Sequence, residues 1–217
     1  MLYSISINNA KNRLKAISKI NDTSANYLHI DVMDGKFVKN TSFTISEILK
    51  ADQKSNLPLD VHLMVNNPLK YIEKIALCNL KYITFHYEAV KDPKDLINAI
   101  KNTGVLVGMS IKPKTKVKEI LEYLPLLDQI LVMSVEPGKS GQTFIKATET
   151  RINYLREYIT TNNLKTIIAV DGGVNDETIS YCSHADMVIM DSYINNSDNY
   201  QGQLDNITNV LNSLNNE

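Results

Sequence analysis

Between Tyr27 and Phe43 the chain reads Y-L-H-I-D-V-M-D-G-K-F-V-K-N-T-S-F, a stretch whose His and Asp can do chemistry. Alternate residues of an extended strand point to opposite sides, so His29, Asp31 and Met33 share one face and Leu28, Ile30 and Val32 the other. An entirely aliphatic face suits a strand buried beneath helices, which leaves the polar face pointing inward, next to Asp34-Gly35. An imidazole beside a carboxylate is either a hydrogen-bonded pair or half of a metal site. Two more residues of these types follow: His62 in D-V-H-L-M-V and Asp171 ahead of Gly172-Gly173. Singly, His62 is as well explained as a satisfied core histidine, and Asp171 as a helix cap or turn residue. Together with His29 and Asp31 they make a plausible ligand set for one divalent cation such as zinc, iron or manganese.

Other residues cluster near the same chemistry. His86, in I-T-F-H-Y-E-A, ends a strand pattern and is expected to hydrogen-bond near the rim rather than bind metal. Met33, Met64 and Met133 fall near strand ends, as flexible core filling or as a dry wall beside a reacting carbon. Gly138 to Gly141 and Gly172-Gly173 either permit tight turns or let backbone N–H groups approach an anion, which would suit a phosphorylated substrate.

The elements that must position these residues alternate. Strand patterns occupy Leu2 to Ile7, Tyr27 to Val32, Leu59 to Met64, Tyr82 to His86, Leu106 to Ile111, Gln129 to Val135, Thr166 to Val170 and Met187 to Met190. Helical spacing appears at Ala10 to Ile20, Thr44 to Ala51, Asn67-Pro68 through Ala76, Asp95 to Lys101, Val117 to Leu124, Ala147 to Thr160, Asp176 to Cys182 and Leu204 to Leu214. Eight strand–helix units with no linker predict an α/β fold: one domain over 1–217, a closed eight-stranded parallel (β/α)8 or TIM barrel. An open doubly wound sheet is the less suitable arrangement, because the turn after the first strand reads Ser6-Ile7-Asn8-Asn9 without a glycine fingerprint. The barrel sets the active site at the C-terminal ends of the strands, where His29, Asp31, His62 and Asp171 fall.

Composition narrows the function. With 43% hydrophobic and 22% charged residues and a net charge of −1, the chain carries no basic surplus for nucleic acid or an anionic membrane surface. Cys78 and Cys182 form no C-x-x-C pair, which fits reduced thiols in a cytoplasmic protein rather than a disulfide or cysteine-zinc scaffold. Small-molecule chemistry is the expectation, in a homo-oligomer as is common for barrels of this size.

The motifs H-I-D-V-M-D-G-K-F-V-K-N (29–40), D-V-H-L-M-V (60–65), I-T-F-H-Y-E-A (83–89), V-M-S-V-E-P-G-K-S-G-Q-T-F-I (132–145) and V-D-G-G-V-N (170–175) resemble, in order and spacing, the ribulose-phosphate 3-epimerase family. The resemblance implies an isomerase of the pentose phosphate pathway that interconverts D-ribulose 5-phosphate and D-xylulose 5-phosphate. It implies one divalent metal ion held by His29, Asp31, His62 and Asp171, with Asp31 and Asp171 as the acid-base pair acting through a cis-enediolate. Ser4, His62 and the three methionines would contact the substrate, and Gly141, Gly172, Gly173 and Ser192 match the phosphate-binding loops. Related enzymes epimerise hexulose 6-phosphates such as D-allulose 6-phosphate, and a barrel that has lost turnover would survive as a sugar-phosphate-binding protein. The chain departs from the family at Tyr3, Asn9, Lys139-Ser140 and Asp191, where the family has proline, an acidic residue, Phe-Gly and glycine. A carboxylate at 191 would repel a phosphate dianion unless it turns away or pairs with a cation such as Lys139.

Overall fold

In the computed structural model, which describes residues 1–214, eight parallel strands close on themselves in chain order. The last residues of the expected domain, 215–217, lie outside the described residues. The strands are β1 (Leu2–Ser6), β2 (Tyr27–Met33), β3 (Leu59–Met64), β4 (Leu80–His86), β5 (Leu106–Ile111), β6 (Gln129–Met133), β7 (Ile167–Asp171) and β8 (Met187–Met190). Around them run α1 (Arg13–Asn21), α2 (Ile45–Lys54), α3 (Leu69–Ile75), α4 (Pro93–Lys101), α5 (Thr148–Thr161), α6 (Ser192–Asn195) and α7 (Tyr200–Leu214). Closure is made by β1 pairing with β8 through Leu2↔Met187 to Ile5↔Met190.

Local chemistry starts the helices. Thr44 and Glu47 form a reciprocal capping box at the head of α2, and Asp92 caps α4 with Pro93 in its first turn. The helix expected from Ala10 begins instead at Arg13, because the Asn12 side chain accepts the Lys15 N–H and ends the preceding turn. Two expected helices are absent as α-helices. Val117 to Leu124 forms separate 3₁₀ turns at Val117–Glu119 and Leu124–Leu126. Pro125 has no N–H to donate, and the buried Val117, Ile120 and Leu124 are served equally well by the tighter winding. Asp176 to Cys182 contributes only a 3₁₀ turn at Ile179–Cys182. Here the Asn175 side chain accepts from Glu177 and Thr178, and the Thr178 hydroxyl donates to the Gly173 carbonyl, side-chain bonds that compete with an α-helical start.

Two apolar layers result. The main one lies between strands and helices and includes Leu28, Ile30 and Val32, the aliphatic face of β2. A smaller one, from Leu131, Met133, Ala169, Met187 and Ile189, fills one side of the barrel interior. The other side is polar: Ser4, Ser6, His29, Asp31, Asp60, His62, Thr84, His86, Ser110 and Gln129 are all buried. Each such group costs free energy unless hydrogen-bonded, and side chains of β1 to β4 and β6 pair with one another, as Ser4 does with Asp60, His62 with His86 and Gln129 with Thr84. No helix among the described residues is long and apolar enough to cross a membrane.

Candidate active site

Strand register brings the candidate ligands together. Asp31 on β2 lies directly beside His62 on β3, Met33 beside Met64, and Met133 on β6 beside Asp171 on β7. The His62 Nδ1 is 3.1 Å from Asp31 Oδ1 and 3.7 Å from Asp171 Oδ2, and His29 Nε2 is 3.2 Å from Asp31 Oδ1. One donor atom from each of His29, Asp31, His62 and Asp171 lies within 4.8 Å of all the others. Ligands about 2.0–2.1 Å from a shared tetrahedral ion stand roughly 3.3 Å apart, so these separations suit a single small divalent cation. The donor set also suits it: two nitrogens and two carboxylates, as for zinc, iron or manganese.

Both imidazoles are held from behind. The Nδ1 of His29 is 2.7 Å from Asp60 Oδ2, which also accepts from the Ser4 hydroxyl at 2.9 Å. The Nε2 of His62 is 2.9 Å from His86 Nε2, and His86 Nδ1 is 3.1 Å from Glu88 Oε2. Such outer partners orient metal-ligating histidines and raise their basicity.

The two carboxyls are electrostatically unlike. Burial opposes ionisation of Asp31, but the adjacent His29 and His62 outweigh it and hold the group below the usual carboxylate range. Burial, reinforced by the negative charge of Asp31, pushes Asp171 up to about 8. Burial alone would lower His29, yet Asp60 and Asp31 together raise it well above an ordinary imidazole. At neutral pH one carboxylate is therefore ready to accept a proton and the other holds one.

Asp31 and Asp171 border a cavity of about 810 Å³ at the C-terminal mouth of the barrel, with Met33, Met64 and Met133 also on its wall. Gly141, Gly172, Gly173 and Ser192 line the same cavity. Gly172 has φ +118° and a Cβ there would meet Val135 Cγ2 at 2.4 Å; a Cβ on Gly173 would stand 2.9 Å from the Gln142 carbonyl and Phe144 N–H nitrogen. Gly173 lets the β7 loop pack backbone to backbone on the β6 loop, and Gly172 seats it against the Val135 side chain, where any side chain would collide. His29 and His62 are fully buried beneath the carboxylates.

Ser4, like His29 and His62, does not line the cavity. Fully buried, it turns its hydroxyl to Asp60, while Ser6 reaches toward Asp31 at 3.5 Å. Asp191 borders the cavity but is held by neutral donors, the Asn9 N–H at 3.3 Å and the Asn195 side-chain amide at 2.8 Å, and burial raises its carboxyl above the normal range. Asn9 also donates its side-chain amide to Ser192. Asp60 and Glu88 were not singled out from sequence. For Asp60 a signal existed, since it shares the inward face of β3 with His62 and Met64; Glu88 follows a strand and had none.

A closed parallel barrel with ionisable residues gathered at the carboxyl ends of its strands defines an enzyme of the (β/α)8 type. The model of the ribulose-phosphate 3 epimerase family matches residues 2–195. A ribulose-phosphate 3-epimerase from Chlamydia muridarum is 36% identical over 182 residues, 82% of this chain and 80% of the relative. One from Treponema pallidum is 37% identical over 180 residues, 82% of this chain and 83% of the relative. Among solved structures, phosphoribosyl anthranilate isomerase from Thermus thermophilus superposes with a TM-score of 0.68 at 14% identity, covering 99% of this chain and all of that one, a likeness of fold alone. This chain belongs to the ribulose-phosphate 3-epimerase family. It is an epimerase, an enzyme of the isomerase class.

Proposed function

We propose that this enzyme interconverts D-ribulose 5-phosphate and D-xylulose 5-phosphate by proton transfer at C3, with Asp31 and Asp171 as the acid-base pair and one divalent metal ion held by His29, Asp31, His62 and Asp171. The observation that carries the reading is the pair of carboxyls on separate strands, β2 and β7, bordering one cavity. Inversion at carbon requires a proton to leave one face and another to arrive at the opposite face, and therefore two groups. One carboxylate removes the C3 proton next to the C2 carbonyl, a cis-enediolate forms, and the other carboxyl returns a proton from across the ring of side chains. When bound, the cation supplies positive charge that stabilises the enediolate oxygens. His29 and His62, fixed by Asp60 and His86, keep the two aspartates oriented. Met33, Met64 and Met133 keep water from the reacting carbon, so that protons reach and leave C3 through the aspartates, which exchange with solvent between turnovers. Gly141, Gly172, Gly173 and Ser192 offer the phosphate its end of the cavity, and Ser4 acts from behind through Asp60 and His29.

The test is deuterium incorporation at C3 of ribulose 5-phosphate in heavy water, followed by NMR before and after chelation. Exchange with formation of xylulose 5-phosphate is expected, lost on chelation and restored by a divalent ion. Asp31→Asn and Asp171→Asn are each expected to lower turnover by about 10²- to 10⁴-fold, the usual worth of a positioned acid or base. Near wild-type turnover in both would remove the acid-base assignment, and exchange that survives chelation would remove the metal.

A second reading rests on Asp191. A buried carboxylate on the cavity wall disfavours a phosphate beside it, so a different end group or a longer sugar, as in a hexulose 6-phosphate, is the competing substrate. Turnover of D-allulose 6-phosphate above that of ribulose 5-phosphate would select it.

A further inference from the structure

We propose that Glu88 is a positioning residue which, acting through His86, presets His62 in the tautomer whose Nδ1 can take a metal ion. The inference deepens the metal site of the proposed function and rests on it. Glu88 sits on the 3₁₀ turn Tyr87–Ala89 that follows β4. Its Oε1 accepts from the Lys112 N–H at 2.8 Å and from the Thr115 hydroxyl, which leaves Oε2 facing His86 Nδ1 at 3.1 Å.

For a neutral His86, the ordinary state of an imidazole at about pH 8, proton bookkeeping along this line has one consistent solution. An ionised carboxylate only accepts, so His86 carries its hydrogen on Nδ1. A neutral imidazole then has its lone pair on Nε2, and that nitrogen is 2.9 Å from His62 Nε2. His62 must therefore donate from Nε2, which leaves a lone pair on its Nδ1. That lone pair looks at Asp31 Oδ1 at 3.1 Å and Asp171 Oδ2 at 3.7 Å. Once Asp171 has lost its proton, three acceptors converge on one point and repel each other unless a cation lies among them. The reverse order of protons would set the His86 Nδ1 lone pair against a carboxylate oxygen, with no solvent to relieve it, because both histidines are fully buried.

The surroundings keep both ends of the line in the required state. Both imidazole rings are fully buried, so water does not compete for their nitrogens. Burial works against the charge on Glu88, but hydrogen bonds from His86, Thr115 and Lys112 prevail and hold it at about 2. The Phe37 ring packs on His86 with centroids 4.8 Å apart, and Lys112 Nζ stands 4.0 Å from the centroid of the Phe37 ring. The imidazole is thus clamped in position from the β2 and β5 loops.

The deciding experiment uses metal-free full-length protein labelled with ¹⁵N-histidine. Long-range ¹H–¹⁵N correlation at pH 8 reads the tautomers directly, and titration with Mn²⁺ or Zn²⁺ reads affinity without any turnover assay. In the unmodified protein His62 is expected to be protonated on Nε2 only and His86 on Nδ1 only. Glu88→Gln keeps the shape but offers both a donor and an acceptor, so a mixture of tautomers and a 10- to 100-fold weaker metal affinity, roughly what loss of such a partner costs, are expected. A His62 proton on Nδ1 in the unmodified protein overturns the inference, and this measurement decides even where the variant fails to fold. Equal metal affinity in the unmodified protein and Glu88→Gln overturns it too. Absence of metal binding by the unmodified protein would overturn the metal site itself, and the inference with it.

Discussion

Metal uptake by this enzyme is expected to weaken steeply as the solution is acidified from pH 8 to pH 6. The perturbation is pH alone, and the group that carries it is Asp171, pushed up to about 8 by burial and by the charge of Asp31. A metal ion competes with that proton, so apparent affinity scales with the deprotonated fraction. For a group at about 8, that fraction falls from about one half at pH 8 to about 0.01 at pH 6, a loss of roughly 50-fold, or about 2.3 kcal/mol. His29 adds to the slope in the same direction. Its affinity for a proton is raised by Asp60 and Asp31, and its Nε2 must be bare to bind metal. Isothermal calorimetry with Zn²⁺ or Mn²⁺ at pH 6, 7 and 8, in buffers of different ionisation enthalpy, gives both the affinity and the protons released per ion. At least one proton is expected to leave at pH 7. An affinity that stays flat across this range, with no proton released, would refute the electrostatic account of the cluster.

Between about pH 6.5 and 4 two buried groups of the metal-free protein oppose each other: Asp171, held up at about 8, gains stability as pH falls while His86 loses it, so the His86 part is read as the difference in urea midpoints between the unmodified protein and His86→Gln. His86 is held down to about 4 in the fold against about 6.5 in the unfolded chain, so its contribution is complete above 6.5 and lost through this window, about 3 kcal/mol at 1.36 kcal/mol per unit. Glu88, lowered to about 2, contributes above about 4.5 and extends the loss toward pH 2, so a difference between the two proteins that does not shrink between pH 6.5 and 4 would contradict the buried His86–Glu88 pairing. Gly172→Ala forces a side chain into φ +118° against Val135. A cost of about 2–3 kcal/mol, read as a fall in Tm of roughly 5–10 °C, is expected for a chain of this size, and an unchanged Tm would contradict that packing.

The repeated alternation of strand and helix was legible in the chain because both periods are local, and eight strand patterns correspond to the eight strands of the barrel. Periodicity failed where local hydrogen bonding competed with it. Around Asn175 and Thr178, side chains took the backbone groups that a helix would have used, and Pro125 broke the pattern ending at Leu124. His29 and Asp31 were legible as a pair because they sit two residues apart on one strand. His62 and Asp171 stood out because a polar side chain on an otherwise apolar strand costs free energy to bury and adds little to packing.

Alternation along β2 by itself determined which face of that strand is functional, since side-chain direction in a strand follows from covalent geometry. The family motifs, being contiguous, were equally a property of the chain alone. Only the tertiary structure decided that Asp60 backs His29, that His86 and Glu88 stand behind His62, and that Ser4 faces Asp60 rather than the cavity. Those contacts join residues from different strands and loops, and they depend on barrel register. The opposite proton affinities of Asp31 and Asp171 arise in the same way. Identical side chains differ because the closed barrel surrounds one with imidazoles and buries the other beside a negative charge.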